Sequence, residues 1–127
     1  MSPAKQIIIT RADHITSPHL LSAHIAHVSF NALYAEMPTA YGTEGYVCST
    51  LDYQEESALS EWLSNGQSMT ILRVKTEREL IDLTEKLSKF TPYSYTLGDG
   101  TTTICSAVGP VFSIDVDHLI KFVEKML

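Results

Sequence analysis

Cysteine is scarce in this 127-residue chain: Cys48 and Cys105 are its only two, far apart and without a CxxC spacing. Neither a zinc knuckle nor a disulfide framework is indicated, and both read as reduced thiols. Basic residues are also few, nine Lys and Arg against 15 Asp and Glu, which leaves a formal charge of −6. Nucleic-acid binders generally gain affinity by neutralising phosphates with Lys and Arg, so this balance weakens any RNA partner. No apolar run is long enough to span a bilayer, and the opening MSPAKQIIITR lacks the length and cleavage region of a signal peptide. An intracellular, cytoplasmic protein without membrane contact is expected. Apolar residues at 44% and charged residues at 19% are ordinary globular values, and the length suits one domain over residues 1–127.

What is present is an alternation of strand and helix signals. QIIIT at residues 6–10 is β-branched without alternation, as in a strand buried on both faces. Ser17-Pro18 reads as a helix start, Ser as N-cap and Pro at the first helical position, and the helix is predicted to run to about Met37, before Pro38. A long Gly-, Thr- and Tyr-rich connection follows, with a short extended piece around residues 46–49. Asp52 is expected to cap a helix that carries Trp62 and Leu63 and ends at Asn65-Gly66. Residues 69–75, MTILRVK, read as a strand, and Thr76-Glu-Arg-Glu79 is a capping box opening a helix with Leu80, Leu83 and Leu87 on one side. Residues 93–97 and 101–108 read as strands joined through Gly98-Asp99-Gly100. Asp115 is expected to cap a last helix with Leu119, Ile120, Val123 and Leu127 on its apolar face. The order β-α-α-β-α-β-β-α predicts a three-layer α/β/α architecture with a mixed, roughly four-stranded sheet.

Three of the five histidines, His19, His24 and His27, fall on the first helix. At helical spacing Leu20, His24, His27, Asn31 and Tyr34 share one stripe, while Leu21, Ile25, Val28 and Ala32 lie about a quarter turn away, so the imidazoles line an edge rather than the core. Residues 14–35 contain no Asp, Glu, Lys or Arg. A helix without full charges is either central or covered by a partner. A metal would need a third ligand beyond His24 and His27; His19 lies off the stripe and no HExxH is present, so no metal is expected. Two readings stay open: imidazoles bonded to backbone or water at the margin of the core, or a catalytic or ligand-orienting site. GDGTTTICSAVGP at residues 98–110 bears on the second, because consecutive threonines after a glycine-rich turn offer hydroxyls and amides that could hold an anion or a carbonyl. Threonines also simply suit strands, and GDG is only half of a dinucleotide fingerprint, so no cofactor is called for.

Together these motifs resemble the type II peptidyl-tRNA hydrolases. The resemblance rests on Arg11-Ala-Asp13 after the first strand, on Ala23-His-Ile-Ala26-His27 ending in the family's A-x-x-A-H, and on Trp62-Leu-Ser-Asn-Gly66-Gln67 followed by MTILRVK. Glu79-Leu80, the turn Gly100-Thr-Thr-Thr103, AVGP and Ile114-Asp115 complete it over nearly the whole chain. It implies a hydrolase acting on the ester of peptidyl- or aminoacyl-tRNA, and a homodimer, with which the uncharged helix is compatible. Leu20 and His24 stand where the family has Lys and Gln, and counting back from Gly100 puts Thr91 in the place of the family's Asp, with Asp99 the only nearby acid. The expected pocket lies between the first helix and the hairpin at residues 100–103. His27 would be its base or orienting group, His24 its partner and Thr103 a donor, with Thr101, Asn31 and Asp13 binding the substrate. The alternative is a catalytically inactive binding module of the same fold that engages a protein, peptide or small molecule.

Overall fold

The structure is a computed structural model that describes residues 3–14, 16–37, 39–41, 47–49, 51 and 53–126. In chain order its elements are β1 (Ala4–Arg11), α1 (Pro18–Tyr34), β2 (Thr39–Tyr41), β3 (Val47–Ser49), α2 (Ala58–Ser64) and β4 (Met69–Val74). They continue with α3 (Glu77–Leu87), β5 (Ser94–Gly98), β6 (Thr103–Phe112), α4 (Ser113–Ile120) and β7 (Glu124–Lys125). The main sheet has the order β5-β6-β1-β4-β7, and β2 pairs with β3 in a separate ribbon. Strand β1 runs parallel to β4 and antiparallel to β6, so the sheet is mixed as expected.

The isoleucines of β1 are fully buried because successive side chains enter opposite layers. Ile7 and Ile9 pack with Leu80, Leu83, Leu87, Val116 and Ile120 of α3 and α4. Ile8 packs on the other face with Val28 and Ala32 of α1. Helix α2 joins that second layer through Leu59 and Trp62, whose indole N–H donates to the Ser68 carbonyl at 2.7 Å. The result is the three-layer arrangement read from the element order.

Helix α1 begins as predicted, with the Ser17 hydroxyl accepting from the Leu20 amide at 3.2 Å. It stops at Tyr34, and residues 35–37 tighten into a turn with bonds from Glu36 N to Leu33 O and Met37 N to Tyr34 O. The helix is not central: Val28 and Ala32 are buried, whereas Leu20, Phe30 and Tyr34 are exposed. A buried polar couple sets its register on the sheet, for the Ser29 hydroxyl donates to Gln6 Oε1 at 2.6 Å and Gln6 Nε2 donates to the Ser29 carbonyl at 3.1 Å.

Several expectations are corrected. Helix α2 is capped by the Ser57 hydroxyl, which accepts from the Ser60 amide at 3.1 Å, and Asp52 lies outside the described residues. In the capping box of α3, Thr76 accepts from the Glu79 amide, but the Glu79 carboxylate reaches back to the Lys75 amide, one residue beyond the expected partner. Helix α4 starts at Ser113, after Phe112 and without a side-chain cap, which leaves Asp115 inside the first turn. It ends at Ile120, and the tail turns back to pair with β4, so the sheet has five strands rather than roughly four. Leu119 and Val123 still pack against the core, while Leu127 lies outside the described residues. The extended piece expected at residues 46–49 is β3; Tyr46 lies outside the described residues.

Candidate active site

Because β1 and β4 are parallel, their carboxyl ends reach the same edge of the sheet, and β6, antiparallel to β1, begins there. Open α/β sheets bind ligands beyond the carboxyl ends of their strands. At this edge is a cleft of about 230 Å³ lined by Arg11, His14, Thr16, His24, Arg73 and Ile104 among others. A larger groove of about 610 Å³ runs between α1, α2 and β4, but its lining, including Ile25, Phe30, Trp62 and Met69, has no titratable side chain.

Arg11 organises the smaller cleft. Its Nε and Nη2 donate to the two carboxylate oxygens of Asp13 at 2.8 and 3.1 Å, and its Nη1 donates to the Thr103 carbonyl at 2.7 Å. Glu77 stands 3.9 Å from the same guanidinium and accepts from the Thr103 amide. The hydrogen bond to Asp13 raises the Arg11 pKa, and the reciprocal bond from Arg11 holds the Asp13 carboxyl below the usual carboxylate range. Asp13 is thus engaged with Arg11, through both oxygens.

The histidine stripe is divided between two environments. His24 is half-buried at the cleft, with Nδ1 buried and without a partner among the described residues, and its ring lies 6.4 Å from that of His14. His27, one turn on, is exposed and is not part of the cleft lining; its Nε2 is 3.4 Å from the Tyr95 hydroxyl. Asn31 donates its amide to the His27 carbonyl at 2.8 Å, a bond within the helix. Cys105 sits beneath His24, and burial pushes its thiol up to about 11, too high for a thiolate nucleophile at neutral pH.

The threonine turn is committed internally. Asp99 Oδ1 accepts from the Thr101 amide at 2.9 Å, the Thr101 hydroxyl at 2.8 Å and the Thr102 amide at 2.9 Å. These bonds, led by the Thr102 and Thr101 amides, hold the Asp99 carboxyl far below the usual carboxylate range. A carboxylate so weakly basic is a poor proton acceptor at neutral pH. The Thr101 amide and hydroxyl expected to meet a substrate are used within the turn, and the Thr103 amide is used by Glu77. Thr101 and Thr103 line a separate shallow hollow with Glu77 and Gly98. Thr91 is buried before the start of β5 and donates to the Pro110 carbonyl at 3.1 Å, so it is part of the packed interior.

Thus the structure gathers His24 with Arg11, which holds the Thr103 carbonyl from behind the lining, and leaves His27, Asn31 and Thr101 out of that cleft. His14, Thr16 and Arg73 escape the sequence reading. For Arg73 a signal exists in MTILRVK, where it stands between the buried Leu72 and Val74 and so faces the opposite layer, that of α1.

The family model for peptidyl-tRNA hydrolase PTH2 matches residues 4–124. A protein named peptidyl-tRNA hydrolase from Halobacterium salinarum is 27% identical over 123 residues, covering 91% of this chain and 93% of its own. One of the same name from Methanopyrus kandleri is 28% identical over 124 residues, covering 91% of each chain.

Acid titration tests the turn. Asp99 and Asp13 have depressed folded pKa values, so their stabilisation is present above the unfolded carboxylate value, about 4, and is lost as pH falls through the range below it. Urea midpoints measured from pH 6 to about pH 2 are expected to fall less steeply for Asp99→Asn than for the wild type. Parallel profiles would show that the turn does not hold the Asp99 charge.

Proposed function

The chain belongs to the peptidyl-tRNA hydrolase PTH2 family, and on that premise we propose that it hydrolyses the ester joining a peptide or amino acid to tRNA, with His24 as the base. The single observation that carries the choice of residue is that His24 borders the cleft at the carboxyl ends of β1 and β4, beside Arg11 and Arg73. In this reading water attacks the ester carbonyl while His24 takes its proton. The arginines and the Thr16 hydroxyl face the oxyanion that develops, and the tRNA ribose oxygen leaves with the proton returned by His24. Imidazole suits this work because its ordinary pKa lies near neutrality. His27, beside Tyr95 on the outer face of α1, contacts the acyl or RNA part of the substrate. The reading takes residues 1–127 as one domain working in the cytoplasm.

The exposed side of α1 supports a second element, a homodimer. Leu20, Phe30 and Tyr34 are exposed there, the latter two stacked with ring centroids 5.2 Å apart, and the helix carries no charge to repel its copy in an otherwise acidic protein. Sedimentation equilibrium should give a dimer that Phe30→Glu converts to monomer. A wild-type monomer at millimolar concentration refutes the pairing.

Hydrolysis is tested with N-acetyl-aminoacyl-tRNA under single-turnover conditions. His24→Ala should slow release of the acyl group by about 10²- to 10⁴-fold, the range for loss of a general base. His27→Ala should slow it less than about tenfold, chiefly by weaker substrate binding. Wild-type protein that leaves the ester intact in stoichiometric excess would favour an inactive binding module, and loss confined to His27→Ala would move the site to the Tyr95 side.

A further inference from the structure

The cleft at the edge of β1 and β4 has a charge balance opposite to that of the whole chain. Among the described residues its lining contains Arg11, Arg73, His14 and His24 and neither Asp nor Glu, in a protein of formal charge −6. Of the chain's arginines only Arg78 lies elsewhere, on the exposed side of α3 beside Asp82.

The carboxylates that pair with the two arginines stand outside the lining and orient each guanidinium along one edge. Asp13 takes Nε and Nη2 of Arg11, Glu77 stands 3.9 Å from its Nη1, and Glu124 takes Nε and Nη2 of Arg73. Arg73 Nη1 makes no bond to a described residue. Asp13 and Glu124 are themselves well exposed, so water and salt screen much of their charge.

A second, independent feature points to the same place. Thr16 Oγ1 and His24 Nδ1 are buried without a hydrogen-bond partner among the described residues, and both residues line this cleft. Buried polar groups in native proteins are nearly always bonded, so two orphans beside one cavity indicate a missing partner. The volume, about 230 Å³, exceeds what one water needs. A hydroxyl, two imidazoles and two guanidiniums can all donate, and the group that accepts from all of them is a small oxyanion.

We infer that the cleft is a binding subsite for a small oxyanion, the phosphate or carboxylate group of a ligand, held by Arg73 and Arg11 and by hydrogen bonds from Thr16 and His24. The assignment stands whether or not the chain cleaves an ester.

The test follows the imidazole resonances of the full chain by NMR at constant pH. Sodium phosphate is the probe in one arm and sodium acetate in the other, each against sodium chloride at matched ionic strength. The His24 and His14 signals should move saturably in at least one arm, the tighter arm telling phosphate from carboxylate. The exposed His19 and His118 should follow the chloride control. Thr16→Val and Arg73→Gln should each weaken binding about tenfold, the loss expected for one charge-assisted hydrogen bond. His24 signals that match chloride in both arms overturn the inference, as does wild-type affinity in Arg73→Gln. The wild-type titration decides even if Arg73→Gln fails to fold.

Discussion

One guanidinium joins the parts of this molecule that matter for its chemistry. Arg11 ends the central strand, holds Asp13 in the loop that leads to α1, holds the Thr103 carbonyl at the start of β6, and stands beside Glu77 at the start of α3. Glu77 closes the circuit by accepting from the Thr103 amide. Arg11 is mostly buried, and protein acceptors take one N–H from each of its three nitrogens, which draws the three segments to one point. Arg11, so fixed, lines the cleft beside His24.

The second constraint is the seat of α1. With only Val28 and Ala32 fully buried, the helix has a narrow apolar contact, and the bonds between Gln6 and Ser29 fix where along the sheet it rests. That register carries His24 to the cleft and leaves His27 one turn farther along, facing Tyr95. A single helical stripe thereby serves two surfaces. The uncharged sequence of α1 has its physical meaning in that outer surface, which is apolar and open rather than central.

Features decided by neighbouring residues were legible before any coordinates. The unbroken QIIIT run, the Ser17-Pro18 helix start and the burial of Leu80, Leu83 and Leu87 all appear as read. The fifth strand was not legible, because Glu124–Lys125 has no strand pattern of its own and pairs only where the tail meets the edge of β4. The threonine turn shows a different limit. Its composition announced donors correctly, but whether they face a ligand depends on the Asp99 side chain, which turns back and takes the amides of Thr101 and Thr102. The cleft itself draws on Thr16, Arg73 and Ile104, distant in sequence and brought together by the pairing of β1 with β4 on one side and β6 on the other. Thr91, reached by counting back from Gly100, lies buried before β5 and bonds the Pro110 carbonyl, whereas Asp99 follows the end of that strand.

The most direct measurement of the Arg11 clamp is amide hydrogen exchange in Arg11→Gln compared with wild type, at a pH and temperature where both are folded. Faster exchange is predicted at residues 99–103 and at the start of α3, with residues 7–9 in the centre of the sheet unchanged, because the network joins the edge and not the core. Equal protection of residues 99–103 in the two proteins would contradict the account, since the cleft would then be held by something other than Arg11.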